Sequence, residues 1–401
     1  VTTRPPARSM NRPARRTGAI VIGGNYRGLG IVRSLGRRGI PVWVLKDEHW
    51  IASASRYACH SEGWPASPEA DQRDYLLDLG TRHQLDDWAI FPTTDESAAM
   101  VAHHHPALAE RFRLTTPEWN VMRWAYDKRL TYRLAGELQI DHPSTCYPTS
   151  RAAIEQLNCD FPVILKPAIK EHANRFTIEK AWQINDRWSL LRRYDEAREL
   201  VDPGVIMVQE MIPGNGESQF SYAALCEEGR PLASLVARRA RQYPLDFGRA
   251  STYVETVEQP DVERLAQRLL AAMAYTGLVE VEFKRDPRDG RFKLLDINAR
   301  VWGWHTLGRR AGLDFPYLTW RFIKGDPVPG TRASPGVRWV RLATDFPSAM
   351  LAIRKGGLTP RGYLRSFRRP LEFAIFAVDD PLPALIDGPW LAYLGWKRRD
   401  L

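Results

Sequence analysis

The chain has 401 residues, 44% hydrophobic and 26% charged, with a formal net charge of +10. That length suits two or three domains with sizeable cores, and the composition excludes a fibrous, disulfide-scaffolded or wholly disordered chain. No apolar run approaches the roughly 20 residues needed to cross a bilayer and no secretory apolar core stands near the start, so a cytoplasmic chain is expected.

Residues 1–16, VTTRPPARSMNRPARR, hold five arginines and no acid. Proline and arginine with almost nothing apolar predict a disordered basic tail over 1–17, and the leading Val with Met10 inside the tail leaves open a start at Met10. Without the tail the charge falls to +5, which weakens a nucleic-acid reading. The next stretch, AIVIGGNYRGLGIVRSLGRRGIPVWVLKDE, reads as strand, glycine turn, amphipathic helix and strand. A dinucleotide fingerprint needs G-x-G-x-x-G here, but Asn25 interrupts the spacing of Gly23, Gly24, Gly28 and Gly30. The glycines are therefore expected to make a tight turn and a close helix-to-sheet approach at Gly28, and a nicotinamide oxidoreductase is the least favoured reading. WAIFPTTDESAAMVA adds a strand over 88–92, a loop with Asp95, and a helix. The alternation predicts a Rossmann-like parallel α/β domain over 18–116, with a substrate crevice near Asn25, Tyr26 and Asp95 at the carboxyl ends of its strands. His103, His104 and His105 point in different directions on a helix and are not read as a metal site. The cysteines, Cys59, Cys146, Cys159 and Cys226, form no CxxC and are expected as buried thiols.

The pattern changes after Pro117. A helix carrying Asp127 and Lys128 is expected in RWAYDKRLTYRLAGELQI, then a strand, FPVILKP, whose Lys166 needs an anionic partner or solvent. Another strand ends in Gln209 and Glu210. A helix over 261–275 precedes GLVEVEFKRDPRDGRFKLLDINARVWGWH, read as a hairpin turning at Asp289 and Gly290. Asp296 and Asn298, two apart, share a face, and Glu282 stands beside them on the neighbouring strand. Two carboxylates and an amide are oxygen ligands suited to magnesium at a nucleotide's phosphates, with Arg300 on the same side. The basic stretch after Arg354 is read as a solvated helix face.

Lys128, Lys166 in VILKP, VQEMIPGNGES, VEFK and LLDINARVWG together resemble the ATP-grasp superfamily, in the branch with the ligase halves of carbamoyl phosphate synthetase and the carboxylate-amine ligases. The resemblance implies an α/β protein: a Rossmann-like domain, an α+β ATP-grasp domain over 117–326, and a C-terminal extension, 327–401, packed on it. It implies ATP and magnesium, with manganese as a substitute, and an acyl phosphate formed with release of ADP. Lys128 and Lys166 would hold the phosphates, Gln209, Glu210, Met211 and Ile212 would line the adenine pocket, and Glu217 would reach the ribose. Glu282, Asp296 and Asn298 would bind the metal, and Arg300 would face the reacting carboxylate. Trp302, Trp304 and His305, just after Arg300 in sequence, either line or support the acceptor pocket or pack in the core. The partners implied are a small carboxylate and an amine, without nucleic acid or membrane, and a homodimer remains open. Two features depart from the family: Asp296 replaces glutamate, and PAIKEHANRFTIEK after Lys166 has no glycine, so Lys170, His172, Asn174 and Arg175 would supply donors there. A nucleotide-binding protein without turnover is the second reading.

Overall fold

In the computed structural model, which describes residues 17–169, 174–179, 181–214, 216–243, 250–368 and 370–397, the chain forms three sheets. The first is parallel, ordered β3-β2-β1-β4-β5, from β1 (Ala19–Ile22), β2 (Val42–Lys46), β3 (His60–Gly63), β4 (Ala89–Pro92) and β5 (Arg113–Leu114). Its central strands are continuous apolar runs because both faces are covered. Ala19, Val21, Val44 and Phe91 feed the core beneath α1 (Tyr26–Gly36), while Ile20, Ile22, Leu45 and Ile90 feed the core beneath α2 (Glu69–His83) and α3 (Asp95–His103). A short α4 (His105–Ala109) follows. The glycine turn has the expected scaffold geometry: Gly23 has φ +117°, and a Cβ on Gly28 would come within 2.2 Å of the Gly23 carbonyl oxygen.

The single helix expected around Lys128 is instead two, α5 (Trp119–Tyr126) and α6 (Lys128–Glu137). Asp127 breaks it: its backbone is extended, and its side chain accepts from Arg129 N at 2.9 Å, capping α6. The second sheet, ordered β6-β9-β7-β8, is antiparallel: β6 (Thr145–Cys146), β7 (Val163–Pro167), β8 (Trp182–Ile184) and β9 (Ile206–Glu210). Helices α7 (Arg151–Gln156), α8 (Arg175–Glu179) and α9 (Arg187–Arg198) accompany it.

The third sheet begins with β10 (Gln219–Glu227), β11 (Arg230–Tyr243) and β12 (Ala250–Val257), followed by α10 (Pro260–Ala272) and the hairpin of β13 (Gly277–Arg285) and β14 (Phe292–Asn298). After α11 (Thr306–Arg310) and α12 (Phe315–Ile323), residues beyond 326 continue the same sheet. There β15 (Thr331–Arg332) pairs β11, β16 (Arg338–Val340) pairs β12, and β17 (Leu371–Phe373) pairs β16. Helices α13 (Leu342–Arg354), α14 (Pro360–Arg365) and α15 (Leu382–Lys397) complete the chain, with Arg354, Arg361 and Arg365 facing solvent. Among the described residues no helix is long and apolar enough to cross a membrane. The cysteine expectation holds only for Cys226: Cys59 and Cys146 are exposed and Cys159 half-buried, because they lie in connections or on the two-residue edge strand β6.

Candidate active site

A cleft of about 300 Å³ opens between the second and third sheets, with α6 and the start of α3 at its end. It contains Lys128, Lys166, Gln209, Glu210, Met211 and Ile212, together with Glu282, Asp296, Asn298, Arg300 and Asp95. The hairpin register explains the carboxylate cluster. Glu282 stands opposite Asp296 and Glu280 opposite Asn298, and the register then slips so that Phe283 faces Leu294. Leu295 is the extra residue of a bulge, which turns Asp296 toward the cleft while Leu294 stays wholly buried in the core.

The cluster is dense in compensating charge. Asn298 Nδ2 donates to Glu282 Oε1 at 2.9 Å and to Glu280 Oε2 at 3.0 Å, leaving its Oδ1 to accept from Arg300 Nη2 at 3.1 Å. Lys128 Nζ donates to Asp296 Oδ1 at 2.6 Å. Lys128 is thus already ion-paired, where the sequence suggested an ammonium awaiting phosphate. Burial opposes both charges, but their mutual attraction outweighs it, raising the Lys128 pKa and lowering that of Asp296. Lys166 has no comparable hydrogen bond or ion pair among the described residues. Burial, reinforced by the Lys128 charge, pulls its ammonium down to about 8. Arg300 is clamped by Asp95 through Nε to Oδ1 at 2.7 Å and Nη2 to Oδ2 at 3.1 Å, a bidentate fork joining the start of α3 to the third sheet.

Several expected side chains have other work. Gln209 is buried, donating from Nε2 to Thr145 Oγ1 at 2.8 Å and to Tyr132 OH at 3.1 Å. Glu210 accepts from Lys293 Nζ at 2.7 Å. Glu217 is exposed in a 3₁₀ turn and does not line the cleft. Asn25 caps α1 through Arg27 N, and the Tyr26 hydroxyl stands against Gly303. Trp302 takes the core alternative: it is wholly buried against Trp304 and Phe315. His305 is also displaced from the acceptor role. It lies in a second cavity beside α1, with Nδ1 3.0 Å from the Trp302 carbonyl oxygen, and burial lowers its pKa to about 4. Lys170 and His172 lie outside the described residues; Asn174 caps the start of α8 through Thr177 N, and Arg175 pairs with Glu196.

Sequence reasoning missed Glu280, Arg239 and Lys284. Glu280 is buried, accepts from Trp304 Nε1 at 3.1 Å, and is pushed up to about 7 by burial and by Glu282. Arg239 holds Glu282 Oε2 at 3.0 Å and Gln219 Oε1 at 2.8 Å. Lys284 donates to the Ile212 and Gly214 carbonyls at 2.8 and 2.7 Å, pinning the loop after β9. A charged residue at every second position of VEVEFK was the available signal for one polar face.

For a divalent cation, Glu282, Asp296 and Asn298 offer two carboxylates and one amide oxygen. Among the described residues no group of three or more histidine, cysteine or carboxylate ligands is suited to hold a metal alone. Such hard oxygen donors are of the kind magnesium takes alongside waters and phosphate oxygens.

Residues 203–343 match the family described as "ATP-grasp in the biosynthetic pathway with Ter operon". A D-aspartate ligase of Enterococcus faecium is 26% identical over 220 residues, 51% of this chain and 51% of that protein, so the match spans about half of the curated relative. The L-amino acid ligase from Bacillus licheniformis superposes with a TM-score of 0.62 at 15% identity, covering 81% of this chain and 79% of that one. The biotin carboxylase domain of the Hydrogenobacter thermophilus 2-oxoglutarate carboxylase, solved with MgADP and bicarbonate, gives 0.62 at 14% identity over 81% and 74%.

Proposed function

We propose that this chain, an ATP-grasp protein by fold, is an ATP- and magnesium-dependent carboxylate-amine ligase. The observation that carries the reading is the convergence of Lys128, Lys166, Arg300 and the Glu282, Asp296 and Asn298 set in one cleft. A carboxylate is a poor acylating agent. Its oxygen attacks the γ-phosphorus, the bond to the β-phosphate oxygen breaks, and ADP leaves; the amine lone pair then attacks the acyl carbon, phosphate departs, and the amine's proton passes to solvent. Catalysis of this kind is mostly positioning and charge neutralisation.

Lys166 and Lys128 contact the phosphates, and Lys128 exchanges its Asp296 partner for them. The β9 segment from Gln209 to Ile212 borders the adenine through backbone and the Met211 side chain. Glu282, Asp296 and Asn298 hold magnesium, which supplies charge neutralisation at the terminal phosphates. Arg300, oriented by Asp95, faces the carboxylate and the transferring phosphoryl group. In this reading residues 18–116 form a domain of their own that brings the substrate crevice to this site, and the segment from 327 supports the ATP-grasp sheet. The names of the relatives, a D-aspartate ligase and an L-amino acid ligase, support amino acids as the substrate class.

Screening amino acids in pairs with ATP and magnesium identifies the substrates by ADP release. With the correct acid alone, hydroxylamine should trap the acyl phosphate as a hydroxamate, and with the amine added, ADP, phosphate and amide should form in equal amounts. AMP and pyrophosphate in their place would refute the reading.

A further inference from the structure

In an open α/β sheet the crevice for a ligand lies where the strand order reverses, outside the carboxyl ends of the strands. Here that point is between β1 and β4 in the order β3-β2-β1-β4-β5. Tyr26 and Arg27 open α1 on one side of it, and Asp95 opens α3 on the other. Asp95 pairs with Arg300, and both line the cleft described above.

Two further guanidiniums converge on it. Arg341, directly after β16, stacks on the Tyr26 ring with its Cζ 4.1 Å from the ring centre, and Arg27 lies 5.9 Å from the same centre. Both are poorly supplied with acceptors. Among the described residues Arg27 makes one side-chain hydrogen bond, Nη1 to the Thr93 carbonyl at 3.3 Å. Arg341 makes none, its approach to Asp387 being 3.8 Å, too long for a hydrogen bond. The Nε atoms of both are buried without a partner. Nearby carboxylates are engaged elsewhere: Asp95 by Arg300, and Glu280 by Trp304 and Asn298. Burial and the Arg300 charge lower the Arg27 pKa, opposed by Tyr26, Asp95 and Glu280.

We infer that Arg27 and Arg341, both beside the Tyr26 ring, form a subsite for a carboxylate carried by the substrate in addition to its reacting group, so that the ligase substrate is a dicarboxylate. A guanidinium presents a planar fork matched to a carboxylate, and two forks against one ring hold that group in a fixed orientation. The reacting end then reaches Arg300. The inference rests on the ligase reading for the location of the reacting end, but binding at the subsite is measurable without turnover.

The test is calorimetric titration of the full chain with succinate and aspartate against propionate and alanine. The dicarboxylates should bind at least about tenfold more tightly, and the difference should vanish in Arg27→Gln and in Arg341→Gln. Arg27→Lys, which keeps the charge and loses the fork, should restore part of it, and melting curves verify that each variant is folded. Equal affinity for both ligand classes, or wild-type discrimination in both glutamine variants, would overturn the subsite. ADP release only with monocarboxylate substrates would also overturn it while leaving the ligase reading intact. Discrimination lost in the variants, with no hydroxamate or ADP from any pair, would retain the subsite and remove the ligase.

Discussion

Replacing Lys166 with methionine should move stability and ATP affinity in opposite directions. The strand β7 holds this ammonium half-buried, beside Lys128, with no hydrogen-bonding anion among the described residues. Its pKa falls from 10.5 to about 8. At about 1.4 kcal/mol per tenfold change in protonation, keeping it charged at neutral pH costs the empty fold up to about 3 kcal/mol, reduced by solvent screening to about 1–2 kcal/mol. Methionine preserves most of the volume without the charge, so the apo protein should melt about 2 °C higher by calorimetry. The sign with pH follows from proton counting. Between pH 8 and 10.5 the unfolded chain binds the proton that the folded lysine has lost, so wild-type stability rises over that range and the advantage of methionine shrinks. ATP affinity should respond inversely. Losing a charge-assisted phosphate contact costs about 1.5–3 kcal/mol, a ten- to hundredfold weaker Kd by titration. Wild-type affinity should also decline as pH rises through 8, because binding must then restore the proton. A Lys166→Met protein that melts lower at pH 7 and binds ATP normally would refute both the strained charge and its assignment to phosphate.

Three other outcomes are expected. Asp95→Asn breaks the fork on Arg300 from the start of α3 and should lower kcat about ten- to hundredfold with little change in KM for ATP; kcat within twofold of wild type would count against the clamp. Asp296→Asn removes charge at constant volume and should cut turnover at least about hundredfold, with chelation abolishing wild-type activity; metal-independent ADP release would remove the ligand assignment. His305 is buried neutral with its pKa near 4, so the unfolded chain binds more protons below its ordinary 6.5 and stability falls as pH drops from 6.5 to 4. His305→Asn should flatten that slope in denaturant titrations, and an unchanged slope would place the acid lability elsewhere.

The parts of the fold legible in the sequence are those whose signal is local. AIVI, VILKP and IMVQE announce buried strands by continuous apolar character, and all three are strands, at Ala19–Ile22, Val163–Pro167 and Ile206–Glu210. The Asp289 and Gly290 turn fixes one hairpin, and with it the pairing of Glu282 and Asp296. The break at Asp127 escaped because helical residues stand on both sides of it and period alone runs through. Its signal was the residue type, since aspartate is a preferred N-cap. The cysteines were misjudged for the opposite reason: type suggested burial, whereas position in connections and on an edge strand decided exposure.

What escaped at the site depends on register between distant segments. Arg239 reaches Glu282 across β10, which lies between β11 and β13, and Asp95 reaches Arg300 over a separation of 205 residues; no periodicity in either segment encodes the pairing. The pocket alternative for Trp302 shows the converse hazard, nearness in sequence taken for nearness in space. Four residues beyond Asn298 its ring is wholly buried, while Arg341, forty-one residues beyond Arg300, stacks on Tyr26. Asp296 was a weak point on sequence grounds because it is shorter than glutamate. The bulge at Leu295 changes that expectation. It turns Asp296 into the cleft, and Tyr132 fixes the bulge by donating to the Leu295 carbonyl at 2.8 Å. With Lys128 at 2.6 Å from its carboxylate, Asp296 is held ionised. The same contact keeps the ammonium where phosphate would meet it, so the short side chain and the early ion pair belong to one arrangement poised for exchange of partner.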